Sequence, residues 1–174
     1  EELEGKQQKT APWGYGENLD VSKIPPTLRK VVEKVQTSSD YKLGALRDLT
    51  INCRYNSFFK ISPHVDPLTD GPNVFVLGLL SGTTITFSPC DLEKRGGLLA
   101  EQQSWTDEDL DIIFRRRSLV FFSKQARYTW DHAIRGGFEI DGPDGPVTCD
   151  FWGDMKNIIA RKKERISIVL AFAD

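Results

Sequence analysis

Apolar side chains at Leu28, Val31, Val32 and Val35 recur at the i, i+3, i+4, i+7 spacing of one helical face, and Pro25 and Pro26 stand where a first turn accepts proline. The spacing predicts one amphipathic helix lying on a sheet. From Asp48 onward the period shortens to two. Runs rich in β-branched and aromatic residues at 49–55, 74–80, 83–88, 119–123, 128–134 and 165–172 predict a mainly β domain, largely antiparallel, built as a sandwich or barrel with flanking helices. Around 105–114, Thr106 suits a helix N-cap, but Leu110, Ile112 and Phe114 alternate, so a hairpin after Asp109 is expected, with Arg115-Arg116-Arg117 as a turn. Residues 135–164 lie between two strands and are rich in Gly and Pro. They read as a long hairpin or flap at the mouth of the barrel that governs substrate choice, or as a surface hairpin that makes no contact with substrate.

The 174 residues suit a polar and flexible opening segment, 1–10, followed by a single domain, 11–174. That opening has no initiator Met and reads as an internal or trimmed start. A net charge of -2 excludes a general basic field, so any nucleic-acid contact needs a local patch. Cys53, Cys90 and Cys149 are odd in number and widely spaced, which excludes a disulfide framework and any Cys-x-x-Cys motif. An intracellular, reducing compartment is therefore expected. The longest apolar runs are strand-length, well short of the ~20 residues of a membrane span, so a soluble monomer is expected.

The chain has only two histidines. His64 opens His64-Val65-Asp66 just beyond a strand, and His132 lies several strands later, within 128–134. An arbitrary histidine is more often a hydrogen-bonded or surface residue than a ligand. Barrel closure would nonetheless bring the three groups together, and two imidazoles with one carboxylate form the ligand set of non-haem Fe(II) oxygenases. The C-terminal run favours that second reading. Arg165 and Ser167 share one face of a strand, where a guanidinium fork and a hydroxyl suit a carboxylate, and Tyr55 on an earlier strand adds a phenolic donor.

In this order, Tyr55, His64-x-Asp66, His132 within Ala126-Arg127-Tyr128-Thr129-Trp130-Asp131-His132-Ala133-Ile134, and Arg165-x-Ser167, the chain resembles the AlkB-like family of Fe(II)/2-oxoglutarate-dependent dioxygenases. The resemblance runs from about Trp13 to the C-terminus, with Gly14-Tyr15-Gly16 and Ile24-Pro25-Pro26 similar to the family's substrate-side lid. It implies a double-stranded β-helix, or jelly-roll. It also implies that His64, Asp66 and His132 bind Fe(II), that Arg165 pairs with the distal carboxylate of 2-oxoglutarate, and that Tyr55 and Ser167 hydrogen-bond to it. O2 is then the co-reactant, and an N-methyl substrate would leave as formaldehyde. Two positions depart from the family's pattern. Cys53 stands where Asn-x-Tyr has Asn, with Asn52 adjacent, and Ala171 stands where a second Arg is expected.

The substrate stays open among methylated DNA or RNA, a protein and a small molecule. Trp13, Tyr15, Tyr128 and Trp130 offer stacking surfaces for a flipped base, although aromatics at such positions more often belong to a core. Tyr128 and Trp130 would share the strand face of His132. Arg115 to Arg117 and Arg161 to Lys163 offer phosphate contacts, although short charged turns are usually solvated. A non-catalytic interaction module is the alternative from another class.

Overall fold

The computed structural model describes residues 6–8, 12–38, 40–89, 108–152 and 154–174. In chain order the first elements are β1 (Lys6–Gln8), α1 (Pro26–Ser38), β2 (Leu46–Arg54), β3 (Ile61–His64), β4 (Asn73–Leu79) and β5 (Thr83–Pro89). Then follow β6 (Leu110–Phe114), β7 (Leu119–Phe122), α2 (Lys124–Tyr128), β8 (Trp130–Ile134), β9 (Phe138–Gly142), β10 (Gly145–Trp152), β11 (Asp154–Ala160) and β12 (Arg165–Phe172). The protein is mainly β, and its strand pairs are antiparallel. One sheet has the order β1-β2-β12-β4-β7, a second β3-β8-β5-β6, and a third β11-β10-β9.

Alternation along β12 divides the molecule. Ile168, Leu170 and Phe172 turn to one side, where they join Leu49, Phe75 and the buried Val32 and Val35 of α1 in one apolar cluster. The helix thus lies on the first sheet, as its stripe predicts. Arg165, Ser167 and Val169 turn to the other side, toward a cavity, and Ala171 joins Val74, Ile85, Phe87, Phe114, Phe122 and Ile134 in a second cluster that bonds the first two sheets together. β12 is therefore covered on both faces, which is why its sequence is nearly continuous in apolar residues outside Arg165 and Ser167.

Several expectations are corrected. β6 and β7 do not form a hairpin: β6 pairs with β5 in the second sheet and β7 with β4 in the first, so the arginine turn crosses between sheets. Residues 128–134 are not one strand, because α2 runs to Tyr128 and β8 starts only at Trp130, so Tyr128 does not share a strand face with His132. Trp13 is no stacking platform. It is buried in the first cluster, and its Nε1 donates to the Leu49 carbonyl at 2.9 Å. Residues 6–8 form an edge strand on β2; the rest of 1–10, Cys90 and Thr106 lie outside the described residues.

The Gly- and Pro-rich 135–164 segment folds as β9, β10 and β11, and none of its described residues lines the cavity. Arg161 fastens it. Buried rather than solvated, its guanidinium donates to the carbonyls of Ser57, Phe59 and Arg135 and pairs with Asp150. Asp150 in turn accepts from Thr83 and Thr84 of β5. No helix among the described residues is long and apolar enough to cross a membrane.

Candidate functional site

His64 ends β3, and its direct partner across the ladder is His132 of β8. An irregularity sets this register: Ile61 pairs with Ile134, so three steps along β3 match two along β8. Pro63, which has no N–H for the ladder, lies inside this bulge. A regular ladder would put Pro63 opposite His132, so the extra residue is what brings the two imidazoles together.

Asp66 follows just past the strand, with Oδ1 3.5 Å from His64 Nε2 and 3.6 Å from His132 Nε2. One ligand atom from each residue lies within 4.8 Å of the others. Such spacing suits a shared cation held by bonds of about 2.0–2.2 Å. Burial pushes His132 down to about 4 against the pull of Asp66, so its imidazole is neutral at physiological pH, the state a metal ligand needs. Burial opposes ionisation of Asp66, but the His64 hydrogen bond and the two histidines outweigh it and hold the carboxyl below its usual range. His64 is also desolvated, yet its bonds to Asp66 and to the Ser62 carbonyl raise it overall. The Ser62 carbonyl lies 2.7 Å from Nδ1, which leaves Nε2 to face Asp66.

The loop carrying Asp66 is held by Arg127, a residue to which the sequence motifs assign no role. Its buried guanidinium donates from Nη1 to the Asp66 carbonyl at 2.9 Å, from Nη2 to Pro67 at 2.5 Å and from Nε to Gly71 at 2.9 Å. Gly71 has φ +88°, and a Cβ there would meet the Phe172 carbonyl at 2.5 Å, so only glycine closes this loop. Three carbonyls around one planar fork is geometry that lysine cannot copy. Arg127→Lys is therefore expected to weaken Mn(II) binding by ~10- to 100-fold, as loss of a support behind metal ligands does. Titration calorimetry on the folded variant checks this.

The triad opens into a cavity of about 420 Å³ whose far lining includes Asn52, Arg54, Arg165 and Ser167. Arg165 is 2% exposed. Its Nη1 donates to Ser167 Oγ at 3.3 Å, its Nε has no partner among the described residues, and its guanidinium lies against the rings of Phe59 and Phe114. Burial first, then the charges of Arg54 and Arg161, lower its pKa to about 10, which still leaves it cationic at neutral pH. Tyr55 does not join this group. It lies one residue past β2, half exposed and outside the cavity lining, with its hydroxyl near Cys53. Thr50, Asn52 and Arg54 take the cavity face, so alternation turns Cys53 and Tyr55 away. The available signal was parity with Asn52.

At the other end of the same strand face stands Asp48, 7% exposed, with Asp70 and Tyr15 also in the lining. Tyr15 donates to Asp70 and is paired with Thr69. Across the ladder from Asp48 is Ala171, so no guanidinium neutralises the carboxylate from the position where the resemblance expects the second Arg. Burial raises Asp48 to about 6; a 3.0 Å bond from Thr50 opposes the shift, and the negative charges of Asp70 and Asp66 add to it. A carboxyl raised in the folded state favours folding while protonated, and that advantage is lost as pH rises through about 6. Asp48→Asn should accordingly be neutral near pH 4 and stabilising above pH 7, by roughly 1–3 kcal/mol. Thermal unfolding at the two pH values measures it.

Trp130 packs partly buried against the second cluster, and Tyr128, 41% exposed, lies at the end of α2. No family model matches the chain, and no curated protein matches it in sequence.

Proposed function

We propose that the protein is an Fe(II)- and 2-oxoglutarate-dependent dioxygenase of AlkB-like type, carried on a jelly-roll. The observation that carries this reading is the meeting, in one cavity, of a His-Asp-His cluster with a buried guanidinium that has no carboxylate partner among the described residues. The sheet orders support the fold. β2-β12-β4-β7 beside β3-β8-β5-β6 matches the order of eight strands wound as a jelly-roll, with successive strands passing from one sheet to the other except at the β5–β6 pair, which stays in the second sheet.

His64, Asp66 and His132 would hold Fe(II) from one side and leave its other positions to ligands. Bound together, Fe(II) and 2-oxoglutarate supply activation of O2 and hydroxylation of a C–H bond, with 2-oxoglutarate leaving as succinate and CO2. The chain's own residues do the rest. Arg165 and Ser167 bind the distal carboxylate and so orient the cosubstrate along the cavity. The neutral His132 and ionised Asp66 present lone pairs without first releasing a proton. Val76, Ile85, Phe122, Ile134 and Val169 form apolar walls that exclude water.

The test supplies Fe(II), O2, 2-oxoglutarate and a methylated single-stranded oligonucleotide. Succinate with matching formaldehyde supports base demethylation. Succinate without formaldehyde directs the search to a protein or small-molecule substrate. Absence of any 2-oxoglutarate turnover or binding indicates a non-catalytic interaction module and contradicts the proposal.

A further inference from the structure

The arginine end of the cavity holds more positive charge than binding of one carboxylate by one arginine requires. Arg54 lies directly across the ladder from Arg165, and Asn52 across from Ser167. Both arginines are buried, at 6% and 2% exposure, and both line the cavity. Among the described residues neither has a carboxylate within ion-pair distance. Among the described residues Arg54 donates from Nη1 to the Cys53 carbonyl at 3.1 Å, and the buried Nε of Arg165 has no partner. The nearby Asp150 is taken by Arg161. Two like charges set side by side out of water are costly unless an anion joins them.

We infer that Arg54 and Arg165 form a two-guanidinium clamp on a single ligand carboxylate, with Arg54 supplying the second donor that Tyr55 is turned away from giving. The clamp presupposes the oxygenase function proposed above and deepens it by making Arg54 a determinant of cosubstrate choice. A carboxylate has acceptor sites enough for two forks, and each fork adds charge-assisted bonds in a dry setting. A bound 2-oxo acid with a distal carboxylate therefore gains from Arg54, whereas a 2-oxo acid ending in a methyl group does not.

The experiment measures binding of 2-oxoglutarate and of 2-oxopentanoate to the Mn(II)-loaded protein by calorimetry, in wild type, Arg54→Ala and Arg54→Met. Loss of the fork should weaken 2-oxoglutarate by roughly 10- to 100-fold. The monocarboxylate should bind both variants as it binds wild type. Arg54→Met keeps the apolar stem and removes the charge, so without ligand it should melt no lower than wild type while losing most of the stabilisation that 2-oxoglutarate confers. A merely structural arginine would lower the ligand-free melting temperature and leave the two acids equally affected, which overturns the clamp. Wild-type binding that persists undiminished in Arg54→Met also overturns it, and leaves the oxygenase reading intact. Failure of wild type to bind 2-oxoglutarate overturns that reading and the clamp with it.

Discussion

His132→Ala is expected to lose Fe(II) binding and to form no succinate from 2-oxoglutarate. The ring is one of three donors in the cluster, and removing a donor should cost well beyond the ~10- to 100-fold that loss of an outer support costs. Because His132 is neutral and packs against Phe87 and Phe122, the variant leaves a small void rather than a bare charge, and it should remain folded. Asp66→Ala should have the same outcome for a different reason: it removes the only carboxylate of the cluster and leaves two imidazoles to face a cation alone. Metal titration beside a melting curve checks both variants. Iron retained with turnover in folded His132→Ala would remove His132 from the centre.

The second large effect is at Arg165. Taking away one partner of a buried charged contact costs about 2–5 kcal/mol, or roughly 30- to several-thousand-fold in affinity. Arg165→Ala should bind 2-oxoglutarate that much more weakly while retaining Mn(II), since no ligand of the cluster touches the guanidinium. Arg165→Lys should recover only part of the loss, because an ammonium cannot reproduce the fork. Calorimetry with the cosubstrate, after a metal titration of the same sample, separates the two sites.

The parts of this site that were legible in the sequence are those a local period or a rare residue type reveals. α1 followed from four apolar positions, and β12 covers the 165–172 run that the sequence predicts as a strand. With two histidines in the chain, His64 and His132 had few competitors, and Asp66 came with its spacing. Arg165 and Ser167 were paired by strand parity alone. Other features depend on contacts between distant segments. Arg127 looks like any basic residue before a strand until three carbonyls from 66–71 are found around it. Arg161 sits in a run with Lys162 and Lys163 that reads as solvated, and only the folded chain puts Asp150 beside it. Tyr55 was misjudged by one residue of register. A shift of one exchanges the two faces of a strand, and the motif's Tyr position gave way to Arg54 on the cavity side. The corner between β6 and β7 shows the same limit: alternation identified both strands, but nothing local says that they belong to different sheets.

On the proposed reading, the His-Asp-His cluster and the arginine end of the cavity serve one ligand. Calorimetric titration of 2-oxoglutarate into the oxygen-free protein, with and without Fe(II), tests it most directly. The account predicts one saturable site whose affinity rises strongly when Fe(II) is present, because the metal and the guanidiniums hold opposite ends of the same molecule. Binding indifferent to Fe(II), or no binding in its presence, would contradict it.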